Sequence, residues 1–512
     1  MSSPNSLRLP LLQAAAAVLA LVMIVSAILQ LRETRQGLTV TRSVVGSIPI
    51  TIYALADGKP GPAVVIAHGF AGSQQLMQPF ATTLAHAGQI AITFDFPGHG
   101  RNPRPLPGGL VDQSTMSAAL IDALKQVVAH VRSLPQVDGR VALLGHSMAS
   151  DVVVQVGMDD PRLAATIAVS LFVPRATTTA PRNLLIIDGA LEAQALIDEG
   201  FASLTETAGG MPKTDFTYGR FDDGSARRLV LARGAEHIGV LYARDSLDAA
   251  VAWLAQVFDR PAGAWRDTRG GALALLFGGL ILLAWPLASR LPASSAPSLG
   301  LALGHRDLLH IAGLPAIATP LLLWPLPHDW LPLLLGGYLA MHFALYGLLM
   351  AMLLWRRGHR LPSSASFDGR IWLSLLAVTA GTTLAFGFAL DGWVASVKPI
   401  AMRLPLIAAM VVGLLPFFLI DEWITRGARP VKGGYALTKA LLLASLLLAV
   451  ALNLGELFFL IIIVPVILLL FIVFGLLGGW VGRRSGQPLI AAFSNALLFG
   501  WLIAVSFPVV SR

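Results

Sequence analysis

The sequence Leu144-Gly145-His146-Ser147-Met148-Ala149 joins two patterns of different period. Residues 141–144 form a short continuous apolar run, which is typical of a buried strand, and a helical pattern begins at Met148. The sequence therefore predicts a sharp turn from strand to helix with Ser147 at its tip. Gly145 and Ala149 are small, so the backbone can turn tightly there and lift the serine hydroxyl out of the sheet.

Further apolar runs of the same kind lie on both sides of this turn. They occupy residues 63–67, 90–94, 166–169 and 184–187, with helical patterns over residues 74–87 and 116–132 between them. This alternation predicts a doubly wound, mostly parallel sheet with helices on both faces. Residues 39–45 and 48–54 predict an antiparallel hairpin at the start of the sheet, and residues 228–232 predict a last strand.

Three short motifs each follow one of these strands. They are Ala67-His68-Gly69-Phe70, Asp95-Phe96-Pro97-Gly98-His99-Gly100 and Gly234-Ala235-Glu236-His237. Together with the serine turn, and in this order, they resemble the α/β-hydrolase family, over about residues 38–261. One departure is Ala149, where the family usually has glycine, and alanine is the smallest alternative.

The resemblance implies a role for each of four residues. Ser147 would be the nucleophile, and His237 would be the general base that takes its proton. The backbone N–H groups of Phe70 and Met148 would form an oxyanion hole that stabilises the tetrahedral intermediate. His68, His99 and His146 are interpreted as structural residues around this site.

The acid that orients His237 should lie between Ser147 and His237 in the sequence. The family commonly has G-x-x-D after the strand at residues 184–187, and this pattern falls on Glu192. Asp188, at the end of the same strand, is the alternative acid. Asp222 and Asp223, just before the last strand, are a more distant third.

Other classes of site are not indicated. The chain has no cysteine, and no group of His, Asp and Glu has the spacing of a zinc site, so no metal is predicted. No phosphate-binding or dinucleotide glycine pattern is present, so no cofactor is predicted. The net charge of +8 is read as basic loops beside a membrane, not as a nucleic-acid surface.

The composition indicates a membrane protein. Of 512 residues, 55% are hydrophobic and only 13% are charged, whereas a soluble domain has roughly 25% charged residues. Apolar residues 11–31 predict an N-terminal anchor, with a cleaved signal peptide as the alternative. Eight further spans are predicted at residues 271–288, 308–326, 331–355, 371–390, 400–424, 436–453, 456–481 and 489–510. The expected domains are an anchor (1–37), a hydrolase domain (38–262) and a transmembrane bundle of about eight helices (263–512).

The basic residues alternate between the loops of the bundle. Twelve Lys and Arg residues lie in or beside the first, third, fifth and seventh loops, and only Lys398 lies in the others. The positive-inside rule places the basic loops in the cytoplasm, so the N-terminus is predicted inside and the hydrolase domain outside. Arg32, Arg35, Arg266 and Arg269 disagree mildly. The expected location is a bacterial inner membrane with a periplasmic hydrolase domain.

Two functions fit these expectations. The first is a membrane-embedded serine hydrolase that cleaves an ester of a lipid or another amphiphile, and its layout resembles that of the inositol-deacylating enzymes in architecture only. The second is a transporter or flippase-like protein with an accessory, inactive hydrolase-fold domain. Buried polar residues in the bundle, such as His342, Asp421 and Glu422, are functional candidates, although the two acids are expected to pair with nearby arginines. The sequence leaves the oligomeric state open.

Overall fold

The computed structural model describes residues 4–109, 112–171, 173, 176–293, 300–360, 369–427 and 429–511. The chain forms two compact units. The sheet unit comprises Ser26–Ala274, Leu390–Lys398 and Ser506–Arg512. The helical unit comprises Met1–Val25, Leu275–Ala389 and Pro399–Val505.

The first helix and the elements of the sheet unit follow the order expected from the sequence. They are α1 (Pro4–Glu33), β1 (Leu38–Val45), β2 (Ile48–Leu55), β3 (Gly61–Ala67), α2 (Gln78–His86), β4 (Ile90–Phe94), β5 (Leu106–Pro107), α3 (Gln113–Ser133), β6 (Val137–His146), α4 (Met148–Asp159), β7 (Ala165–Val169), β8 (Leu184–Gly189), α5 (Gln194–Ala208), β9 (Arg227–Ala232) and α6 (Arg244–Phe258).

The main sheet has eight strands in the order β1-β2-β4-β3-β6-β7-β8-β9. The hairpin β1-β2 is antiparallel, and β2 also pairs antiparallel with β4. From β4 to β9 all neighbours are parallel. The carboxyl ends of β3, β6, β8 and β9 therefore meet at one edge of the sheet, and the residues that follow them are brought together.

Apolar side chains cover both faces of the sheet. On one face Val64, Ile66 and Leu144 pack in one cluster with residues of α2 and α6, such as Phe80 and Trp253. On the other face the alternate strand residues, including Val65, pack with residues of α3 and α4. Burial on both faces explains why these strands are continuous apolar runs in the sequence.

The prediction of an α/β-hydrolase fold with a mostly parallel sheet is confirmed. The helices α5 and α6 and the two-residue strand β5 were not predicted from the sequence, and neither was the two-residue strand β10 (Val510–Ser511). Strand β10, near the end of the chain, pairs in parallel with β5 in a separate two-stranded sheet. Two-residue strands have no periodicity that sequence reading could detect.

The remaining helices begin with α7 and include those of the helical unit. They are α7 (Gly270–Ala288), α8 (His305–Leu323), α9 (Gly336–Arg356), α10 (Gly369–Trp393), α11 (Leu404–Thr425), α12 (Gly434–Leu452), α13 (Leu454–Leu457), α14 (Leu460–Ser485) and α15 (Pro488–Ser506). Within the described ranges, nine helices of the chain, α1 among them, are long and apolar enough to cross a membrane. Each corresponds to one of the nine predicted spans.

A buried group of charged residues joins several helices of this unit. Asp421 forms an ion pair with Lys439, and Glu422 pairs with Arg426 at 3.0 Å. Asn495 on α15 also donates to Glu422 at 3.2 Å, and Arg426 donates to the carbonyl of Gly475 on α14. Both positive charges therefore lie beside carboxylates, as expected for buried ions.

Candidate active site

The turn between β6 and α4 has the strained geometry that its sequence predicts. Ser147 has φ 56° and ψ −121°, a backbone conformation that a residue with a side chain rarely adopts. Its backbone N–H donates to the carbonyl of Val169 at 2.9 Å. A Cβ on Gly145 would overlap the carbonyl of Ala149 and lie 2.8 Å from Val153 Cγ2, so only glycine fits there.

Three of the predicted site residues come together at this turn. His237 Nε2 lies 2.9 Å from Ser147 Oγ, and His237 Nδ1 lies 3.1 Å from Glu192 Oε2. Because a carboxylate can only accept, Nδ1 carries the proton and Nε2 accepts from the serine hydroxyl. The Glu192 side chain is fully buried, whereas 22% of the His237 side chain is exposed. This arrangement can move a proton from Ser147 to His237.

Glu192 is held in its charged form by three donors. Burial alone would raise its pKa, but hydrogen bonds from His237, Ser170 Oγ and the Gly189 N–H bring the pKa below its ordinary value. Ser170 Oγ donates to Glu192 Oε1 at 2.6 Å, and the Gly189 N–H donates to the same oxygen at 2.9 Å. The carboxylate therefore remains ionised beside the imidazole at neutral pH.

Asp188, the alternative acid, faces a different part of the unit. Its Oδ1 accepts from the backbone N–H of Leu171 at 3.1 Å, and its Oδ2 lies beside Gly200 on α5. Burial, and then the negative charge of Glu192, raise the pKa of Asp188 well above its ordinary value. Asp222 and Asp223 are exposed, and Asp222 pairs with Arg220. Of the four carboxyl groups considered, only Glu192 is bonded to His237.

Of the two residues expected to form an oxyanion hole, Met148 directly follows the serine, and Phe70 follows Gly69, which lies against the serine. Met148 is the first residue of α4. Phe70 lies in the loop of residues 68–75, and this loop touches the serine turn, because a Cβ on Gly69 would lie 3.0 Å from Ser147 Cβ. A tight turn, closed by the Gly72 N–H donating to the Gly69 carbonyl, shapes the loop around Phe70.

Asp95, which directly follows β4, holds this loop in place through hydrogen bonds. Its carboxylate accepts from the backbone N–H of Gln74 at 2.8 Å, from Gln74 Nε2 at 3.0 Å and from the Arg101 N–H at 3.0 Å. Sequence reading placed Asp95 in a motif but gave it no role. Its position directly after a buried strand was the signal that could have found it.

The three other histidines brace the site. His146 Nε2 lies 2.9 Å from the carbonyl of His237, and burial, followed by electrostatic repulsion between the two imidazoles, lowers the pKa of His146 to about 3. His68 accepts from the Phe96 N–H at 3.2 Å, and burial lowers its pKa. His99 packs on His68, with ring centroids 5.1 Å apart. His146 and His68 are therefore neutral supports at neutral pH.

Two supporting residues were missed by sequence reading. Ser170 has a positive φ of 55° and bonds Glu192. Glu236 accepts from the N–H groups of Ile238 and Gly239 at 2.8 and 2.6 Å and so shapes the loop that carries His237. Among the residues that the structure describes, no three His, Asp or Glu side chains are grouped as metal ligands.

Part of the chain is similar to known hydrolases. Residues 58–190, which include Ser147, match the family model described as serine aminopeptidase, S33. The chain is 31% identical over 113 residues to a curated protein of Xenopus tropicalis named sn-1-specific diacylglycerol lipase ABHD11. That match covers 22% of this chain and spans 32%, about a third, of the relative's length.

Two similar solved structures each cover less than half of the chain. TT1662 from Thermus thermophilus is 14% identical, with 44% of this chain and 99% of that chain covered and a TM-score of 0.32. PA2218 from Pseudomonas aeruginosa is also 14% identical, with 44% and 94% covered and a TM-score of 0.32. The resemblance to the α/β-hydrolase family that the motifs predict is confirmed, by the family match and by the sheet, for the part of the chain that carries Ser147.

Proposed function

We propose that this chain is a membrane-embedded serine hydrolase that cleaves a carboxylic ester of a lipid or another amphiphile. The observation that carries the proposal is the pair of contacts at His237, 2.9 Å to Ser147 Oγ and 3.1 Å to Glu192 Oε2. Ser147 is the nucleophile, His237 the general base and Glu192 the acid that orients the imidazole.

The reaction proceeds in two halves. As Ser147 Oγ attacks the carbonyl carbon of the ester, its proton passes to His237 Nε2, and the carbonyl oxygen becomes an oxyanion facing the N–H groups of Phe70 and Met148. Collapse expels the alcohol, which takes the proton from His237, and leaves an acyl group on Ser147. Water then attacks the acyl group by the same route, releasing the carboxylic acid and restoring the serine.

Three observations support an amphiphilic substrate. The curated relative is named a diacylglycerol lipase. Leu191 and Ile238, the neighbours of Glu192 and His237, are 66% and 39% exposed. Leu191 donates its N–H to the Ala235 carbonyl, so both apolar side chains belong to adjoining loops that carry the reacting groups. Exposed apolar residues beside a reactive centre suit a hydrocarbon chain better than a polar substrate.

The proposed orientation places the N-terminus in the cytoplasm and the hydrolase domain outside, as in the periplasm of a bacterium. Twelve basic residues lie in or beside the first, third, fifth and seventh loops of the bundle, against two, Lys398 and Arg403, in or beside the others, and this alternation supports the orientation. We also propose the boundaries 1–37, 38–262 and 263–512 for anchor, hydrolase domain and bundle.

A fluorophosphonate probe tests the reactive serine directly. The detergent-solubilised chain should be labelled, and labelling and ester hydrolysis should both disappear in Ser147→Ala and His237→Ala. Ser133→Ala, in an exposed serine on α3, is the control and should behave as the wild type. A folded wild-type chain that is not labelled would favour the transporter with an inactive hydrolase-fold domain.

The substrate class needs a separate experiment. Purified chain in detergent would be offered diacylglycerols, phospholipids, acyl thioesters and aminoacyl amides, with Ser147→Ala as the blank for each. We expect release of fatty acid from a lipid ester. Turnover confined to peptides or thioesters would leave the nucleophile in place and replace the ester assignment.

A further inference from the structure

We propose that two late segments of the chain, Leu390–Lys398 and residues 506–511, position the oxyanion hole. Both segments belong to the sheet unit, although each directly follows or includes the end of an apolar helix, α10 or α15. The proposal rests on the hydrolase function given above and assigns positioning roles to Ser396, Asp391 and Phe507. None of the three touches the reacting atoms.

Ser396 is bonded to the loop that carries Phe70. Its backbone N–H donates to Ser73 Oγ at 2.9 Å, and its hydroxyl donates to Gln75 Oε1 at 2.7 Å. All three residues are buried. Two buried hydrogen bonds from one residue fix both the distance and the direction of the loop of residues 68–75.

Asp391 reaches the same loop by a second route. Its two carboxylate oxygens accept from Arg101 Nη2 at 2.7 and 2.5 Å, and Oδ1 also accepts from the N–H groups of Val397 and Lys398. The backbone N–H of Arg101 is in turn bonded to Asp95, which holds Gln74. The ion pair is partly buried, with side-chain exposures of 25% and 27%, so it is less screened than a surface pair.

Phe507 supports Phe70 itself. The two rings are stacked, with centroids 6.4 Å apart and planes at 28°, and Phe507 is only 4% exposed. The Val509 N–H then donates to the Gly98 carbonyl at 2.9 Å, and the Val509 carbonyl accepts from the Leu106 N–H at 2.8 Å. The residues after α15 are therefore fixed against the loop that follows β4 and against the side chain of Phe70.

These contacts bear on turnover because an oxyanion donor must be held within a few tenths of an ångström of its productive position. Removing one donor outright typically costs about 10²–10³ in rate. Loosening the loop that holds the Phe70 N–H should cost less, and it should act on the transition state more than on substrate binding.

The test compares Asp391→Asn, Ser396→Ala and Phe507→Ala in the full chain in detergent, with a short-chain p-nitrophenyl ester and a fluorophosphonate probe. We expect kcat and the labelling rate of Ser147 to fall about 10- to 100-fold, with KM changed less than about threefold. Phe507→Tyr, which keeps the ring, should restore most of the rate. Arg101→Gln and Asp391→Asn each break the same ion pair. The double variant should therefore lose no more of the rate than the worse of these two single variants.

Asp160→Asn is the matched control, since Asp160 pairs with Arg132 at 2.6 Å in the same unit with similar exposure, 17% and 21%. It should leave kcat unchanged. Wild-type rates in the three variants would overturn the positioning role. So would a raised KM together with lowered thermal stability in the variants, if Phe507→Tyr behaves like Phe507→Ala. A wild-type chain that is never labelled at Ser147 would instead overturn the hydrolase function itself.

Discussion

At the scale of single residues, the site contrasts two buried carboxyl groups that lie four residues apart. Glu192 accepts three hydrogen bonds and its pKa is lowered, whereas Asp188 accepts one backbone N–H and its pKa is raised. Their environments push the two groups toward opposite charge states, which is how neighbouring acids come to have different roles.

Exchanging each carboxyl group for its amide tests this contrast. Glu192→Gln should lower kcat by about 10²- to 10⁴-fold, because an amide no longer fixes the imidazole with its proton on Nδ1. Because burial raises the pKa of Asp188 and so favours its neutral form, Asp188→Asn should keep kcat within about threefold of wild type. Steady-state kinetics on one ester would measure both. The reverse ranking would transfer the role of the acid to Asp188.

His146 gives the protein a measurable sensitivity to acid. Its pKa is about 3 when folded but near 6.5 when unfolded, so between these values only the unfolded chain binds the proton. Stability is therefore lost as the pH falls from 6.5 toward 3, by about 1.4 kcal/mol per pH unit from this histidine. The lowered pKa of His68 adds to the loss in the same direction.

Thermal unfolding between pH 7.5 and 4.5 would measure this effect in the full chain. His146→Gln keeps a donor for the His237 carbonyl but cannot titrate, so its unfolding temperature should depend less steeply on pH than that of the wild type. Equal slopes for the two proteins would show that His146 is not the group responsible.

At the scale of elements, the turn from β6 into α4 depends on one glycine. Gly145→Ala would force the new methyl group into the carbonyl of Ala149, which cannot move without displacing the first turn of the helix. We expect a loss of several kcal/mol of stability and of Ser147 labelling, as for other overpacked cores. Gly271→Ala, with nothing within 4 Å of its new Cβ, is the control and should label normally.

The parts of the sheet that the sequence predicts are those with a periodic signal. Residues 63–67 and 184–187 are continuous apolar runs, and the structure places β3 and β8 there. The choice between Asp188 and Glu192 had no such signal, because it depends on how the chain turns after β8. The contact of Ser170 with Glu192 could not be predicted either, because it depends on the pairing of β7 with β8.

At the scale of the whole molecule, the spans could be predicted because twenty apolar residues in a row are a local property. The sequence could not predict which late segments join the sheet unit. Ser396, for example, bonds Ser73 although it lies more than 320 residues after it in the chain. The ion pairs of the helical unit likewise include one that the sequence predicts and one that it does not. The pair Glu422–Arg426 follows from a spacing of four residues, whereas the pair Asp421–Lys439 depends on the packing of α11 against α12.

The proposed orientation of the chain rests on the basic loops, whereas the composition of the sheet unit bears only on which span ends share a side. The basic loops predict that α1 leaves the cytoplasm and that α10 and α15 end outside. The sheet unit is composed of residues 26–274 together with Leu390–Lys398 and Ser506–Arg512, and every one of these segments lies at a span end predicted to be outside. Among the described residues, four candidate spans separate the end of α1 from the end of α10, and four more separate the end of α10 from the end of α15, so a chain that crosses at each of them has these three ends on the same side.

Because the chain has no cysteine, single-cysteine variants can report the side of each loop without background. Asp57→Cys and Lys398→Cys are both at exposed positions. They should react with a membrane-impermeant maleimide in cells whose outer membrane is permeabilised and whose inner membrane is intact. Arg357→Cys and Arg483→Cys, also exposed, should react only after the inner membrane is permeabilised. Labelling of Arg357→Cys in intact cells, with Lys398→Cys protected, would reverse the orientation and place the ester substrate in the cytoplasm. Equal labelling of both would contradict the span count between them, since α10 is the one candidate span that the described residues place between these two positions.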